Sequence, residues 1–317
     1  MSTFGFDSTA DKVLADKDLT GRTAFITGAY SGLGHETARA MGAKGASLIL
    51  SGRDESKLEA AAKTIGDETG AKVETLVCDL ASLGSIRAAA EQALARFDHV
   101  DLLINNAGVM ACPLSRTADG FELQFGTNHL GHFLLTNLLM PLLEKGENPR
   151  IVNLSSRGHH LDSVHFDDLN YAERDYDKWE AYGQSKTANI LFAVALEQRL
   201  SDKGIHAYAV HPGGIMTNLG RHLDEQDIAN LRKRMESNAE DKGMTFKTVP
   251  QGAATTCWAA TAPELEDKGG LYAEDCAVAD HSDSDPSGGV RSYALDKDAA
   301  ERLWSASEEL VGATFAY

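Results

Sequence analysis

The chain has 317 residues, 43% hydrophobic and 24% charged, which is enough apolar mass for a full core and excludes a globally disordered or fibrous polypeptide. Thirty Lys and Arg against 47 Asp and Glu leave a formal net charge of −17. That field repels phosphate backbones and anionic lipid, so nonspecific nucleic-acid binding is not expected.

From Thr23 onward, short apolar runs alternate with longer amphipathic stretches, the pattern of a parallel sheet covered by helices. In chain order the pattern predicts strand Thr23–Thr27, helix Gly32–Lys44, strand Ser47–Leu50, helix Glu55–Thr69, strand Lys72–Cys78, helix Leu83–Phe97 and strand Leu102–Asn105. Helix Phe121–Leu143, strand Ile151–Leu154, helix Trp179–Leu200, strand Ala207–His211, helix Gln251–Ala260, strand Gly270–Tyr272 and helix Lys297–Val311 follow. The rhythm breaks between Ser156 and Trp179, and between Pro212 and Pro250, where a charged helix-like run covers Asp224–Asp241. Both breaks leave the carboxyl ends of predicted strands, where open α/β sheets bind ligands.

The four cysteines, Cys78, Cys112, Cys257 and Cys276, form no C-x-x-C pair and no zinc spacing, which suits a reducing compartment. The longest apolar run, Ile190–Leu196, is far short of the ~20 residues of a bilayer span. A cytoplasmic protein without signal peptide or membrane anchor is expected.

The first predicted strand runs into Gly28-Ala29-Tyr30-Ser31-Gly32-Leu33-Gly34 and then a helix. Glycines there let backbone N–H groups and the positive helix end approach a pyrophosphate, so a dinucleotide is the implied ligand. Arg53 closes the second strand, where an acidic residue would bond a ribose 2′-OH and an arginine pairs with a 2′-phosphate, favouring NADP(H) over NAD(H). The alternative is a solvated arginine neutralised by Asp54. Asp79, ending the third strand, is placed to accept from an adenine amino group, and Ala107 and Gly108 after the fourth let a cofactor approach the backbone.

Tyr182 and Lys186 stand at i and i+4 on one helix face. A close ammonium lowers a phenol pKa from its usual ~10 and makes an acid/base pair, although an isolated pair at this spacing is also an ordinary surface feature. Asn153-Leu154-Ser155-Ser156 offers a serine hydroxyl at the end of the fifth strand. Asn128 lies within a predicted helix, where its amide has to hold a water or a backbone carbonyl near the lysine. His159-His160 with His165, Asp167 and Asp168 lacks the spacing of a metal site, and no metal is expected. Met110, Met216, Leu219, Leu223 and Met244 either line an apolar substrate cleft or form the core of a lid.

In this order, TGAYSGLG (Thr27–Gly34), CDL (Cys78–Leu80), NNAG (Asn105–Gly108), Asn128, Ser156, Tyr182 with Lys186, and HPGG (His211–Gly214) resemble the short-chain dehydrogenase/reductase family. NHLGHF (Asn128–Phe133), SSRGHH (Ser155–His160) and AYGQSKTANILF (Ala181–Phe192) are most similar to its retinol dehydrogenase and WW-domain oxidoreductase branch. The resemblance covers roughly Gly21 to Tyr272 and agrees with what the alternation itself predicts: one doubly wound α/β Rossmann domain over 21–317, with a mostly parallel seven-stranded sheet, helices on both faces, a polar arm at 1–20 and a substrate loop at about 213–250.

It also implies an NADP(H)-dependent oxidoreductase interconverting a ketone or aldehyde with an alcohol by hydride transfer. Tyr182 would be the general acid/base, Lys186 would bind the nicotinamide ribose and lower the tyrosine pKa, Ser156 would polarise the carbonyl, and Asn128 would anchor a relay water. Gly28, Tyr30, Ser31, Gly32, Leu33, Gly34, Arg53, Asp79, Leu80, Asn106, Ala107 and Gly108 would hold the cofactor, with Pro212, Gly213 and Thr217 on its nicotinamide side. The expected partner is a small apolar carbonyl or alcohol, and the helices carrying Asn128 and Tyr182 are candidates for pairing in a homo-oligomer. Two rivals are an NADPH-dependent C=C reductase and a non-catalytic NADP(H) sensor or scaffold. The spacing from Ser156 to Tyr182 exceeds that of compact members, and no apolar anchor precedes Gly21, which leaves a retinoid substrate unsupported.

Overall fold

Unbroken apolar runs such as Leu102-Leu103-Ile104 suit strands buried on both faces, and β4 (Leu102–Asn105) and β5 (Arg150–Leu154) are buried throughout. The computed structural model describes residues 4–227, 229 and 246–317. Around β4 and β5 lie β1 (Thr23–Thr27), β2 (Ser47–Gly52), β3 (Val73–Val77), β6 (His206–His211), β7 (Leu271–Glu274) and β8 (Ala277–Val278), in the order β3-β2-β1-β4-β5-β6-β7-β8. All pairs are parallel except β7 with β8. The eighth strand was not foreseen: two residues folding back on β7 are too short for an alternation to register.

The strand order reverses between β1 and β4, which opens a crevice at their carboxyl ends. Alternate side chains of each strand feed opposite faces. Phe25 and Leu103 enter one apolar cluster, while Ala24, Ile26, Leu102 and Ile104 enter the other. The second cluster is roofed by α2 (Gly32–Gly42), α3 (Glu55–Thr69) and α9 (Val249–Thr261). Residues before β1 join it as well. Thr9 caps α1 (Ala10–Val13), and Ala10, Val13, Leu14 and Leu19 are buried, so the polar arm is packed down by its few apolar side chains.

The first cluster is roofed by α4 (Leu83–Arg96), the Leu123–Leu143 region, α8 (Lys178–Leu200) and α10 (Lys297–Val311). The long helix expected over Phe121–Leu143 is broken into α5 (Leu123–Phe125), a π-helical turn Gly126–Leu130, α6 (Gly131–Leu138) and α7 (Met140–Leu143). Most of the run Asp224–Asp241, and Met244, lie outside the described residues.

The outer side of α6 and α8 is covered by the chain's own C-terminus. The Trp304 ring lies 5.0 Å from Phe133 and 6.2 Å from Phe192, with the Arg199 guanidinium 4.1 Å above it. Arg199 also pairs with Glu301 at 2.6 Å, and the Tyr317 hydroxyl donates to Asn137 Oδ1 at 3.0 Å. His129 Nε2 meets Ser307 Oγ at 2.8 Å. The apolar side of the helices carrying Asn128 and Tyr182 is therefore already buried within one chain.

Burial holds His129 down at about 3 and His132 at about 4, against an ordinary 6.5. The unfolded chain then binds protons that the folded chain refuses, so the stability is complete above pH 6.5 and is lost as the pH falls towards 4. Melts between pH 7.5 and 4.5 are expected to show a falling midpoint below pH 6.5, with up to about 1.4 kcal/mol per pH unit from each histidine. His129→Phe, which keeps the ring packing against Phe125 and Phe192, should flatten that slope, and an unaltered slope would contradict the assignment.

Candidate active site

The chain leaves β1 through Gly28 (φ +66°) and enters α2 at Gly32 (φ +58°), both in the left-handed region that favours glycine. A Cβ on Gly34 would stand 2.5 Å from Asn106 Nδ2 and 2.6 Å from the Gly28 carbonyl oxygen. Asn106 Nδ2 donates to Thr27 O at 2.7 Å, and the N–H groups of Asn106 and Ala107 donate to Thr27 Oγ1 at 2.9 and 3.0 Å. The turn after β1 and the Asn106–Gly108 loop after β4 are thus locked together across the crevice.

Ser31, at the N-cap of α2, makes no side-chain hydrogen bond to the first-turn amides. At α3, α4, α8, α9 and α10 the caps Asp54, Ser82, Asp177, Thr248 and Asp296 do accept from such amides. Free N–H groups, a helix dipole and a cradle that any Cβ would fill are what a pyrophosphate requires, so these residues fit a dinucleotide.

Other residues foreseen for the cofactor surround this turn. Tyr30 packs its ring over Gly52, 2.8 Å from where a Cβ would stand. Leu33 turns away to pack beside Gly252 and Ile215. Asp79 Oδ1 accepts from Ala81 N at 3.0 Å, and the Leu80 carbonyl lies against Gly131. Thr217 brings its methyl 3.6 Å from the Cβ position of Gly32, which places the Pro212–Thr217 segment over the glycine turn. Gly213 (φ +98°) is crossed by the Lys247 side chain, whose buried ammonium pairs with Asp275 at 2.5 Å and lies 4.9 Å from the Phe6 ring. Asp54 is engaged by Lys57 at 2.8 Å and caps α3, and Arg53 beside it is exposed.

The second half of the site forms where β5 meets α8. Lys186 Nζ and Asn189 Nδ2 both donate to Leu154 O, at 3.0 and 2.9 Å, and Ser155 Oγ donates to Lys186 O at 2.8 Å. The Ser156 hydroxyl accepts from Gly158 N at 2.9 Å and lies 3.3 Å from the Gly158 Cβ position, on the same side as the Tyr182 ring. Gly158 has to be glycine, because a Cβ there would lie 2.6 Å from Tyr182 Cε1. Lys186 Nζ sits 5.6 Å from the Tyr182 ring centroid.

Asn128 lies in the π-helical turn. Its Oδ1 accepts from Val109 N at 2.8 Å, while its Nδ2 donates to Val109 O and Ser185 Oγ, each at 2.9 Å. Its amide therefore holds a backbone carbonyl, the second of the two uses open to a mid-helix asparagine, and pins the loop after Gly108 to α8. A Cβ on Gly108 would lie 3.1 Å from Asn128 Oδ1 and 3.7 Å from Lys186 Nζ. The structure thus brings Asn128, Ser156, Tyr182 and Lys186 together beside the Asn106–Gly108 loop.

The electrostatics differ from expectation. Burial pushes the Tyr182 phenol up to about 12, opposed only by the Ser156 hydroxyl, and pushes Lys186 down to about 8. Desolvation of both groups outweighs their mutual influence, so the phenol is not lowered as the i, i+4 spacing suggested.

His132, Thr27, Gly158 and Lys247 were not foreseen. His132 Nδ1 faces Asn128 O at 2.9 Å, so it carries the proton, and Nε2 accepts from the Thr27 hydroxyl at 2.9 Å. The sequence signal for it was a histidine four residues after Asn128 in an apolar helix. The expected metal-poor histidine loop is engaged elsewhere: His165 pairs with Asp162 at 2.7 Å, Asp167 with Arg302 at 3.1 Å, and Asp168 accepts from three backbone amides.

The family model described as short chain dehydrogenase matches residues 22–228. The short-chain dehydrogenase/reductase prx1 of Penicillium rubens is 39% identical over 96% of this chain and 90% of its own length. Retinol dehydrogenase 14 of Homo sapiens is 40% identical over 92% of this chain and 87% of its own. The crystal structure of an uncharacterized protein from Mycobacterium paratuberculosis superposes with a TM-score of 0.73 at 37% identity, covering 98% of this chain and 99% of the other. Likeness of this depth over nearly the whole length, on top of a glycine cradle facing the Tyr182 cluster, makes the chain a member of the short-chain dehydrogenase family, on its retinol dehydrogenase-like branch.

Proposed function

We propose that this oxidoreductase is NADP(H)-dependent and interconverts a ketone or aldehyde with an alcohol, with Tyr182 as the general acid/base. The observation that carries the reading is the convergence of Ser156 Oγ and the Tyr182 ring on Gly158, 3.3 and 2.6 Å from its Cβ position, with Lys186 5.6 Å from that ring and beside the Gly108 wall. When bound, the dinucleotide supplies or accepts the hydride. The open N–H groups of α2 and the Gly28–Gly34 turn bind its pyrophosphate, and the exposed Arg53 receives the 2′-phosphate.

Tyr182 and Ser156 hold the substrate oxygen, and the phenol proton is delivered to it as the oxygen becomes an alkoxide. A phenol held near 12 is neutral at physiological pH, so the residue is loaded for reduction, whereas oxidation needs its phenolate. Lys186, close to 8, changes charge just above neutrality and favours the phenolate when protonated. Asn128 keeps its place by pinning Val109 to Ser185 and thereby sets the Gly108 wall beside the lysine. An apolar substrate suits Met216, 72% exposed beside Thr217. Four free, buried cysteines support a cytoplasmic setting.

Tyr182→Phe is expected to lower turnover on a panel of ketones and aldehydes by ~10²–10⁴-fold while NADPH affinity, read by fluorescence titration, stays within about twofold. Undiminished turnover would refute the acid/base role, and NADPH binding without turnover by the unmodified chain would favour a sensor. Arg53→Ala should raise the NADPH Kd by about 10-fold or more and leave NADH unchanged; an unshifted preference would reject the 2′-phosphate contact. Because phenolate rises tenfold per pH unit below its pKa, alcohol oxidation should climb from pH 7 to 10 while carbonyl reduction does not, and a flat oxidation profile would count against Tyr182 as the base.

A further inference from the structure

The adjacent histidines His159 and His160, whose spacing suits no metal, are each bonded at both ring nitrogens. His159 Nδ1 lies 2.7 Å from Ser156 O and its Nε2 lies 3.3 Å from the backbone N of Arg291. A carbonyl only accepts and an amide N–H only donates, so Nδ1 carries the proton and Nε2 accepts. His160 has the opposite tautomer, with Nε2 donating to Gly289 O at 2.9 Å and Nδ1 accepting from Arg291 Nη2 at 3.1 Å. Arg291 therefore donates to both rings, and its Nη1 donates to Ser282 O at 2.5 Å, closing the 282–291 loop on itself.

Further bonds tie the same two segments. Tyr293 Oη donates to His159 O at 2.5 Å, and Arg157 Nη1 donates to Ser287 O at 2.5 Å. The His159 ring is fully buried and wedged 4.9 Å from the Tyr272 ring and 4.4 Å from that of His160, so its plane is set. Burial keeps it neutral, at about 3.

The Ser156 hydroxyl accepts from Gly158 N, so its direction is kept only where the backbone on both sides of it is held. The Ser156 carbonyl is held at one place by the His159 ring and the His159 N–H (3.0 Å). We propose that His159 is a positioning residue for Ser156, anchored by Arg291, so that a C-terminal loop outside the 22–228 family match belongs to the catalytic apparatus. The inference rests on the carbonyl–alcohol reading above.

Two isosteric variants separate the two ends of the ring. His159→Asn keeps an N–H for the Ser156 carbonyl and gives up Arg291; His159→Gln keeps an acceptor for Arg291 and gives up Ser156. His159→Gln is expected to lose about 10- to 100-fold in kcat for carbonyl reduction, the scale of a misplacement near 1 Å, with KM, NADPH Kd and melting midpoint little changed. Its primary isotope effect with 4-deuterated NADPH should grow as hydride transfer becomes limiting, and His159→Asn should recover most of the rate. Wild-type kcat in a folded His159→Gln, or a loss that parallels NADPH affinity and melting in both variants, would overturn the positioning role. Tyr182→Phe is run alongside. Turnover that depends on Tyr182 but ignores His159 sinks this inference alone, whereas no carbonyl turnover by the unmodified chain removes both.

Discussion

The carbonyl of Leu154 is the point on which the site turns. It ends β5 and receives hydrogen bonds from Lys186 and Asn189, one helical turn apart on α8. Those bonds fix both the distance and the rotation of α8 against the sheet, and with them the direction of Tyr182, which sits one turn earlier on the same face. A buried lysine that has exchanged its hydration for a single carbonyl is held firmly but at a desolvation penalty, which its depressed pKa records. The same placement puts Ser155 and Ser156, the next residues of the chain, within reach of the helix.

A second buried network joins this half to the glycine turn. Thr27 accepts from the backbone of Asn106 and Ala107 and donates to His132, which donates to the carbonyl of Asn128. The contact to the Asn128 carbonyl falls within the π-helical turn Gly126–Leu130. Every member of the chain has a defined donor and acceptor role, and such networks are rigid when fully satisfied. The two halves of the crevice thus share one set of hydrogen bonds.

Much of this was legible from residue order. β1 and β4, α3 and α10 have the bounds that the pattern predicts, because buried parallel strands read as apolar runs and, in the structure, Asp54 and Asp296 cap the two helices where their amphipathic stretches begin. The pairing of Tyr182 with Lys186 followed from their places on one helix face, and the choice of Ser156 and Asn128 to join them from the resemblance. What stayed hidden depends on solvent and on distant chain. An apolar helical pattern looks the same across Gly126–Leu130 whether the turn is α or π. The i, i+4 spacing of Tyr182 and Lys186 gave the sign of their interaction but not the depth of burial that overrides it. The roles of His159 and Lys247 could not be read from their neighbours, because their partners, Arg291 and Asp275, lie in segments far along the chain.

The aromatic cover that α10 lays over Phe133 and Phe192 has a consequence for how the protein is made. Domains assemble as the ribosome delivers them from the N-terminus, and Trp304 emerges more than a hundred residues after Phe192. Until it arrives, the nascent molecule carries uncovered phenylalanine rings on a layer whose other parts are already made.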